Sequence, residues 1–228
     1  MAIIPVEIVS DPICPWCFIG LRTLQRAIAL HRKTYPGGSS DIFEISWKPY
    51  FIDPVEPVGS ILIHDRMARR MTKPQIDAAQ TRLRRVGRAL GIEFRFGGYI
   101  GSSRPAHRVL HLAGKEGSQI QCRVAEMLFK YQFERERDVS EVDVVVAAAV
   151  EGGMDEGAVR EFLTGSQGVG EVEREEKEYR EKLKATGVQG VPQFYIGGLH
   201  SFEGAGDVGE FLEGFVAARA ARVEIEGL

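Results

Sequence analysis

The chain has 228 residues, 44% of them apolar and 27% charged, the balance of an ordinary folded protein with a buried core. A net charge of −3 gives no reason to expect a nucleic acid or a membrane surface as partner, and no apolar run approaches the roughly 20 residues of a membrane span. Three cysteines, Cys14, Cys17 and Cys122, are too few for a disulfide-stapled scaffold and are not expected to hold the fold together.

The first residues carry no basic segment, long apolar core or small-residue cleavage site, so no secretory signal is expected. A reducing cytoplasmic location follows as the expectation. Ile3–Val9 is a short apolar run ending at Asp11-Pro12, which reads as a buried strand entering a loop. From Phe18 to about Arg32, Leu21, Leu24, Ile28 and Leu30 recur at close to helical spacing, and Tyr35–Ser40 stops them. Asp41–Lys48 then alternates, with Phe43, Ile45 and Trp47 on one side. That completes a β-α-β unit, whose crossover favours a parallel strand pair.

The middle of the chain changes character. After the proline-rich Tyr50–Gly59 stretch, helical patterns are expected over Ile61–Arg70, Lys73–Leu90, Arg104–Lys115, Ser118–Glu134, Glu141–Glu151 and Glu156–Leu163. Glu171–Lys184 reads as a charged, solvated helix. Strand signals return at Val191–Ile196 and Leu199–Phe202, joined by Gly197-Gly198 as a hairpin. Asp207–Arg222 closes the chain as a helix with Val208, Phe211, Leu212, Phe215 and Val216 on one stripe. The order β-α-β, helical block, β-β-α describes a small mixed sheet split by an insertion. Its expected segments are 1–58, 59–170 and 171–228.

Chemistry concentrates at Cys14-Pro15-Trp16-Cys17, between the first strand and the first helix. There, free backbone N–H groups and the helix dipole favour an anion, so the first thiol is set to ionise. Cys14 is expected as the exposed nucleophile and Cys17, one turn inside, as the thiol that resolves a mixed disulfide. Pro15 suits a first helical turn and stiffens the loop. Trp16 reads equally as a substrate contact and as a shield of the site. A structural zinc needs four ligands, and Cys122 with five scattered histidines offers no ligand spacing, so no metal is expected. Asp11 reads first as a turn former and second as a modulator of the thiol. His107 reads as a locally bonded helix residue, and Cys122 as buried and inert. Val191-Pro192 opens the strand after a glycine turn, where a cis bond facing the cysteine pair would offer backbone to an extended substrate.

These residues carry a resemblance. Ser10–Gly20 (Ser-Asp-Pro-Ile-Cys-Pro-Trp-Cys-Phe-Ile-Gly), Trp47-Lys48-Pro49-Tyr50, Ala106-His107-Arg108 and Gly187–Phe194 together resemble the DsbA-like family, in particular its FrnE-like branch. That branch is related to 2-hydroxychromene-2-carboxylate isomerases and kappa-class glutathione transferases. The resemblance implies an α/β thioredoxin fold with an all-helical domain inserted between its βαβ and ββα halves. It further implies a Cys14–Cys17 pair that cycles between dithiol and disulfide, and a cis Pro192. Transferase and isomerase relatives carry serine where this chain has Cys14, which favours redox chemistry. Some FrnE-like proteins carry a second, C-terminal cysteine pair, absent here.

The expected function is thus a thiol–disulfide oxidoreductase of reductase or isomerase type, acting on a disulfide in a protein or a small molecule. Cys14 and Cys17 are its catalytic pair, and Pro15, Trp16, Val191 and Pro192 its substrate contacts. No tightly bound cofactor is expected; glutathione is eligible as reductant or co-substrate, and the protein as monomer or homodimer. The alternative is a glutathione-dependent transferase or isomerase for a small aromatic substrate.

Overall fold

The computed structural model describes residues 1–55 and 57–226. At its centre β1 (Ile3–Ser10) runs parallel to β2 (Ile42–Pro49), pairing Ile8 with Trp47. Between them α1 (Pro15–Thr34) makes the crossover that parallel strands require. The other edge of β1 takes β5 (Gln193–Ile196) antiparallel, and β6 (His200–Glu203) completes the order β2-β1-β5-β6. Gly197 and Gly198 adopt φ of 62° and 71° in the connecting turn, where residues with side chains are strained. Leu199, expected in the second strand, belongs to that turn and is exposed.

The period-2 pattern sorts β1 between two faces. Ile4, Val6 and Ile8 are fully buried in one cluster with Leu21, Leu24 and with Phe211 and Phe215 of α9 (Val208–Glu226). On the opposite face Val9 packs with Tyr179 and Leu183 of α8 (Val169–Ala185). Val216, assigned to the apolar stripe of the last helix, is instead turned outward.

Between the two halves of the sheet lie α2 (Ile63–Ala68), α3 (Lys73–Ala89), α4 (Arg104–Glu116), α5 (Ser118–Phe133), α6 (Val142–Glu151) and α7 (Glu156–Thr164). The expected helix at Ile61 begins two residues later. Ile61-Leu62 (β3) instead pairs antiparallel with Tyr99-Ile100 (β4), a bridge too short to leave any periodicity in the sequence. The helical block covers the outer edge of β2. Ser118 Oγ accepts the Ile45 N–H at 3.0 Å and donates to its carbonyl at 2.7 Å, while Gln121 Oε1 accepts the Trp47 N–H at 3.1 Å. These side chains satisfy backbone groups that an edge strand would leave open. Phe18 joins the layers, stacked on Phe129 at 5.3 Å and edge-on to Phe94 at 6.0 Å. The fold is therefore the expected α/β arrangement of split sheet and helical insertion.

Candidate active site

α1 begins at the cysteine pair for local reasons. Cys14 is its N-cap with extended backbone, φ −98° and ψ 113°, and Pro15 occupies the first turn, where a missing N–H costs nothing. The Cys14 N–H donates to the Asp11 carbonyl at 2.9 Å, and the Cys14 carbonyl accepts the Cys17 N–H at 3.1 Å. His31, Arg32 and Lys33 stand in the last turn and no acid in the first, so side-chain charge follows the helix dipole at its C-terminal end and leaves an anion unopposed at its N-terminal end.

The Cys14 thiol donates to the carbonyl oxygen of Val191 at 3.6 Å, across 177 residues of sequence. The Val191–Pro192 peptide bond is cis, and the Val191 carbonyl contact sets the proline turn against Cys14. Gly20 permits this approach. A Cβ there would lie 2.9 Å from the Phe194 ring and 3.3 Å from the Pro192 ring, closer than packed carbons settle. Both cysteines are free thiols. Cys14, expected to be exposed, is 5% accessible and Cys17 is 0%; both cysteines are recessed, with half-buried Pro15 and Trp16 at the rim. Burial holds the Cys17 thiol well above its ordinary pKa, reinforced by the hydrogen bond and charge of Cys14, while the Ser10 hydroxyl and the Asp11 backbone N–H pull it down.

Asp11 does more than turn the chain. Its buried carboxylate accepts the Ile13 N–H at 3.2 Å and the Ile52 N–H at 2.8 Å. His107, expected to bond locally on its helix, instead reaches across to the site. Its Nε2 lies 3.2 Å from the Tyr50 carbonyl and 3.5 Å from Asp11 Oδ1. Arg180 binds the Phe51 carbonyl, and Glu176 Oε1 accepts the Phe51 N–H at 3.3 Å. The Tyr50–Ile52 wall is thus fixed from the loop after β1, from α4 and from α8.

A DSBA-like thioredoxin domain profile matches residues 5–215. The chain belongs to the DsbA-like thioredoxin family. A probable DsbA oxidoreductase from Streptomyces coelicolor superimposes with a TM-score of 0.81 at 25% identity, over 95% of this chain and 90% of that one. The cytosolic disulfide reductase DsbM from Pseudomonas aeruginosa gives 0.61 at 14% identity, over 98% and 100%. A 2-hydroxychromene-2-carboxylate isomerase gives 0.62 at 14%, over 98% and 99%, and shares the fold. No curated protein matches the sequence significantly.

Two contributors to this DsbA-like site escape a reading of motifs. Ser10, the last residue of β1, has a buried hydroxyl that finds no hydrogen-bond partner of normal geometry and is close enough to Cys17 to lower its pKa. With His107, His111 and Trp47 it lines a cavity of about 240 Å³ between β2, α4 and α8. The other is Arg82, whose guanidinium lies 4.8 Å over the Trp16 ring. Neither is adjacent in sequence to a partner that could reveal it. Cys122, expected to be buried, is half-buried; burial still raises its pKa, and Trp47 and Ser118 face its sulfur. Among the described residues no cluster of three or more histidine, cysteine or acidic side chains is placed to hold a metal, and no helix is long and apolar enough to cross a membrane.

Proposed function

We propose that this DsbA-like chain is a thiol–disulfide oxidoreductase of reductase or isomerase type, working as a dithiol in a reducing compartment. The observation that carries the reading is the Cys14 thiol at the N-terminus of α1, 3.6 Å from the Val191 carbonyl beside Pro192. Cys14 thiolate attacks one sulfur of a substrate disulfide; that bond breaks, and the other sulfur leaves as a thiolate and takes a proton. Cys17 then gives up its proton and attacks the Cys14 sulfur. The second substrate thiol is released and a Cys14–Cys17 disulfide remains, so two electrons have passed to the substrate. A small thiol such as glutathione restores the dithiol and is itself oxidised to its disulfide. In isomerase mode a second substrate thiol displaces Cys14 before Cys17 does, and no net electrons move. Trp16 and the backbone at Val191-Pro192 hold the segment that carries the substrate cysteine.

Cysteine at position 14 supports redox chemistry over glutathione conjugation. Wild type, Cys14→Ser and Cys17→Ser are to be assayed for reduction of a peptide disulfide by a dithiol, and for glutathione conjugation to an activated aryl chloride. Loss of reduction in both variants, with a trapped mixed disulfide in Cys17→Ser, is the expected result. Conjugation that survives Cys17→Ser but requires residue 14 would replace this reading with the transferase one.

A further inference from the structure

The protein is acidic overall, with a net charge of −3, yet the surface beside its cysteine pair is strongly basic. Arg69, Arg70, Lys73, Arg84, Arg85 and Arg88 are all exposed; Asp77 and Glu93 are the acids in the same stretch, and Glu136 shares a cavity with Arg84. No ion pair engages any of these cations among the described residues. Elsewhere Arg66 pairs with Asp53, Arg135 with Glu151 and Arg160 with Asp143. A solvated helix face normally intersperses the two signs, so an uncompensated run of one sign is a directional field.

This field is tied to the chemistry by one contact. Arg82, also exposed and unpaired, lies over the Trp16 ring at 4.8 Å, and Trp16 separates the two halves of Cys14-Pro15-Trp16-Cys17. Leu83 and Ile76 bury the inner side of α3, so the helix is anchored and its cations project outward along its length. Charge screening at physiological salt acts over ~8 Å, longer than the 4.8 Å between the Arg82 guanidinium and the motif tryptophan.

We infer that α3 and the Arg69–Arg70 turn form a docking surface for an acidic polypeptide segment, whose cysteine is thereby delivered to Cys14. The inference rests on the proposed thiol–disulfide function and narrows its substrate to cysteines flanked by aspartate or glutamate. A nucleic acid would answer the same charge but carries no sulfur for Cys14 to attack, and this surface touches the cysteine motif through Arg82 on Trp16. Electrostatic guidance of this kind acts mainly on the encounter rate and is lost as salt rises.

The test uses three peptide disulfides of one sequence, flanked by glutamates, by glutamines or by lysines, with a neutral small disulfide as reference. At about 25 mM salt the glutamate peptide is expected to show kcat/KM about tenfold or more above the lysine peptide, with the gap closing at about 0.5 M. Replacing Arg82, Arg85 and Arg88 together by glutamine is expected to remove most of that preference. Equal turnover of all three peptides at low salt overturns the inference and leaves the thiol–disulfide reading intact. Failure of the wild type on every disulfide, the neutral one included, overturns that reading and this inference with it. Tighter retention of a single-stranded RNA oligonucleotide than of the glutamate peptide at about 0.15 M salt also overturns it, by giving the surface to nucleic acid.

Discussion

Cys17 illustrates how a single buried atom sets the demands on its neighbours. A thiol removed from water ionises reluctantly, yet the second step of the proposed reaction requires its thiolate. The buried Ser10 hydroxyl lowers the pKa of that thiol and lines a cavity, so its removal takes away a dipole that favours the ionised form. Ser10→Ala is expected to slow resolution of the mixed disulfide by about fivefold, the rate equivalent of about 1 kcal/mol of lost thiolate stabilisation. Attack by Cys14 in the first step is left as it was. Single-turnover kinetics that resolve the two steps check this, and Ser10→Thr, which keeps the hydroxyl, is expected to restore the rate. An equal slowing of both steps would mean that Ser10 only packs. In the sequence Ser10 is an ordinary end of a strand; nothing but proximity in three dimensions connects it to Cys17.

Elements are held in register by a few polar side chains placed where backbone groups would go unpaired. In the segment Ala106-His107-Arg108, Ala106 is core, His107 braces the wall of the site, and Arg108 turns to the other side. The Arg108 guanidinium donates to the carbonyls of Phe162, Leu163, Gly165 and Gln167 at 2.7, 3.0, 2.6 and 3.0 Å, closing the end of α7. A lysine cannot reproduce that fork, so Arg108→Lys is expected to cost about 2 kcal/mol in urea unfolding at neutral pH. A loss below ~0.5 kcal/mol would show the cap to be dispensable. A second lock joins the far end of α1 to β2 and α9. Buried Asp41 accepts from the Ala2 N–H at 2.8 Å and from Arg219 at 2.7 Å, and lies 2.9 Å from His31 Nε2. Burial alone would raise its pKa; the His31 hydrogen bond, the Ala2 N–H and the Arg219 charge outweigh that and lower it. Its stabilisation is therefore fully present above the ordinary carboxylate pKa of about 3.9, and fades as pH falls through the lower folded value. Asp41→Asn is accordingly expected to be less stable than wild type at pH 7, with the difference shrinking below about pH 4. A gap that widens on acidification would contradict this assignment.

At the scale of the whole molecule, one apolar cluster runs from Ile4 and Ile8 of the sheet through Phe18 to Phe129, Phe133 and Val145 of the helical block. Phe18→Ala removes a fully buried ring that contacts both, at an expected cost of about 3–5 kcal/mol. Tryptophan fluorescence and far-ultraviolet circular dichroism are then expected to report the same lowered midpoint, because loss of the ring loosens both layers together. Separate transitions would show the two layers to be independent. Much of this architecture is legible in the sequence. Alternation gives Phe43, Ile45 and Trp47 as one side of β2, and helical spacing gives Leu21, Leu24, Phe211 and Phe215 as core, because period and burial coincide there. The thiol pair is legible from its placement between strand and helix. Arg82 and Ser10 are not, nor are the long-range partners of Asp11 and His107, since these contacts join residues distant in the chain that no local pattern encodes. Burial of Cys14 also escapes the sequence, because the proline turn that covers it lies far along the chain.

The chain contains two tryptophans, and they divide its optical signal cleanly. Trp47 is buried beneath the helical block, whereas Trp16 is half-buried between the two sulfurs' positions in the sequence and under a guanidinium. With Trp47→Phe, emission comes from the indole inside the reactive motif alone. A disulfide is an efficient quencher of indole fluorescence, so oxidation is expected to dim that emission and reduction to restore it. Trp16 thus equips the protein with an internal gauge, through which the state of its electrons can be followed by light without any added label.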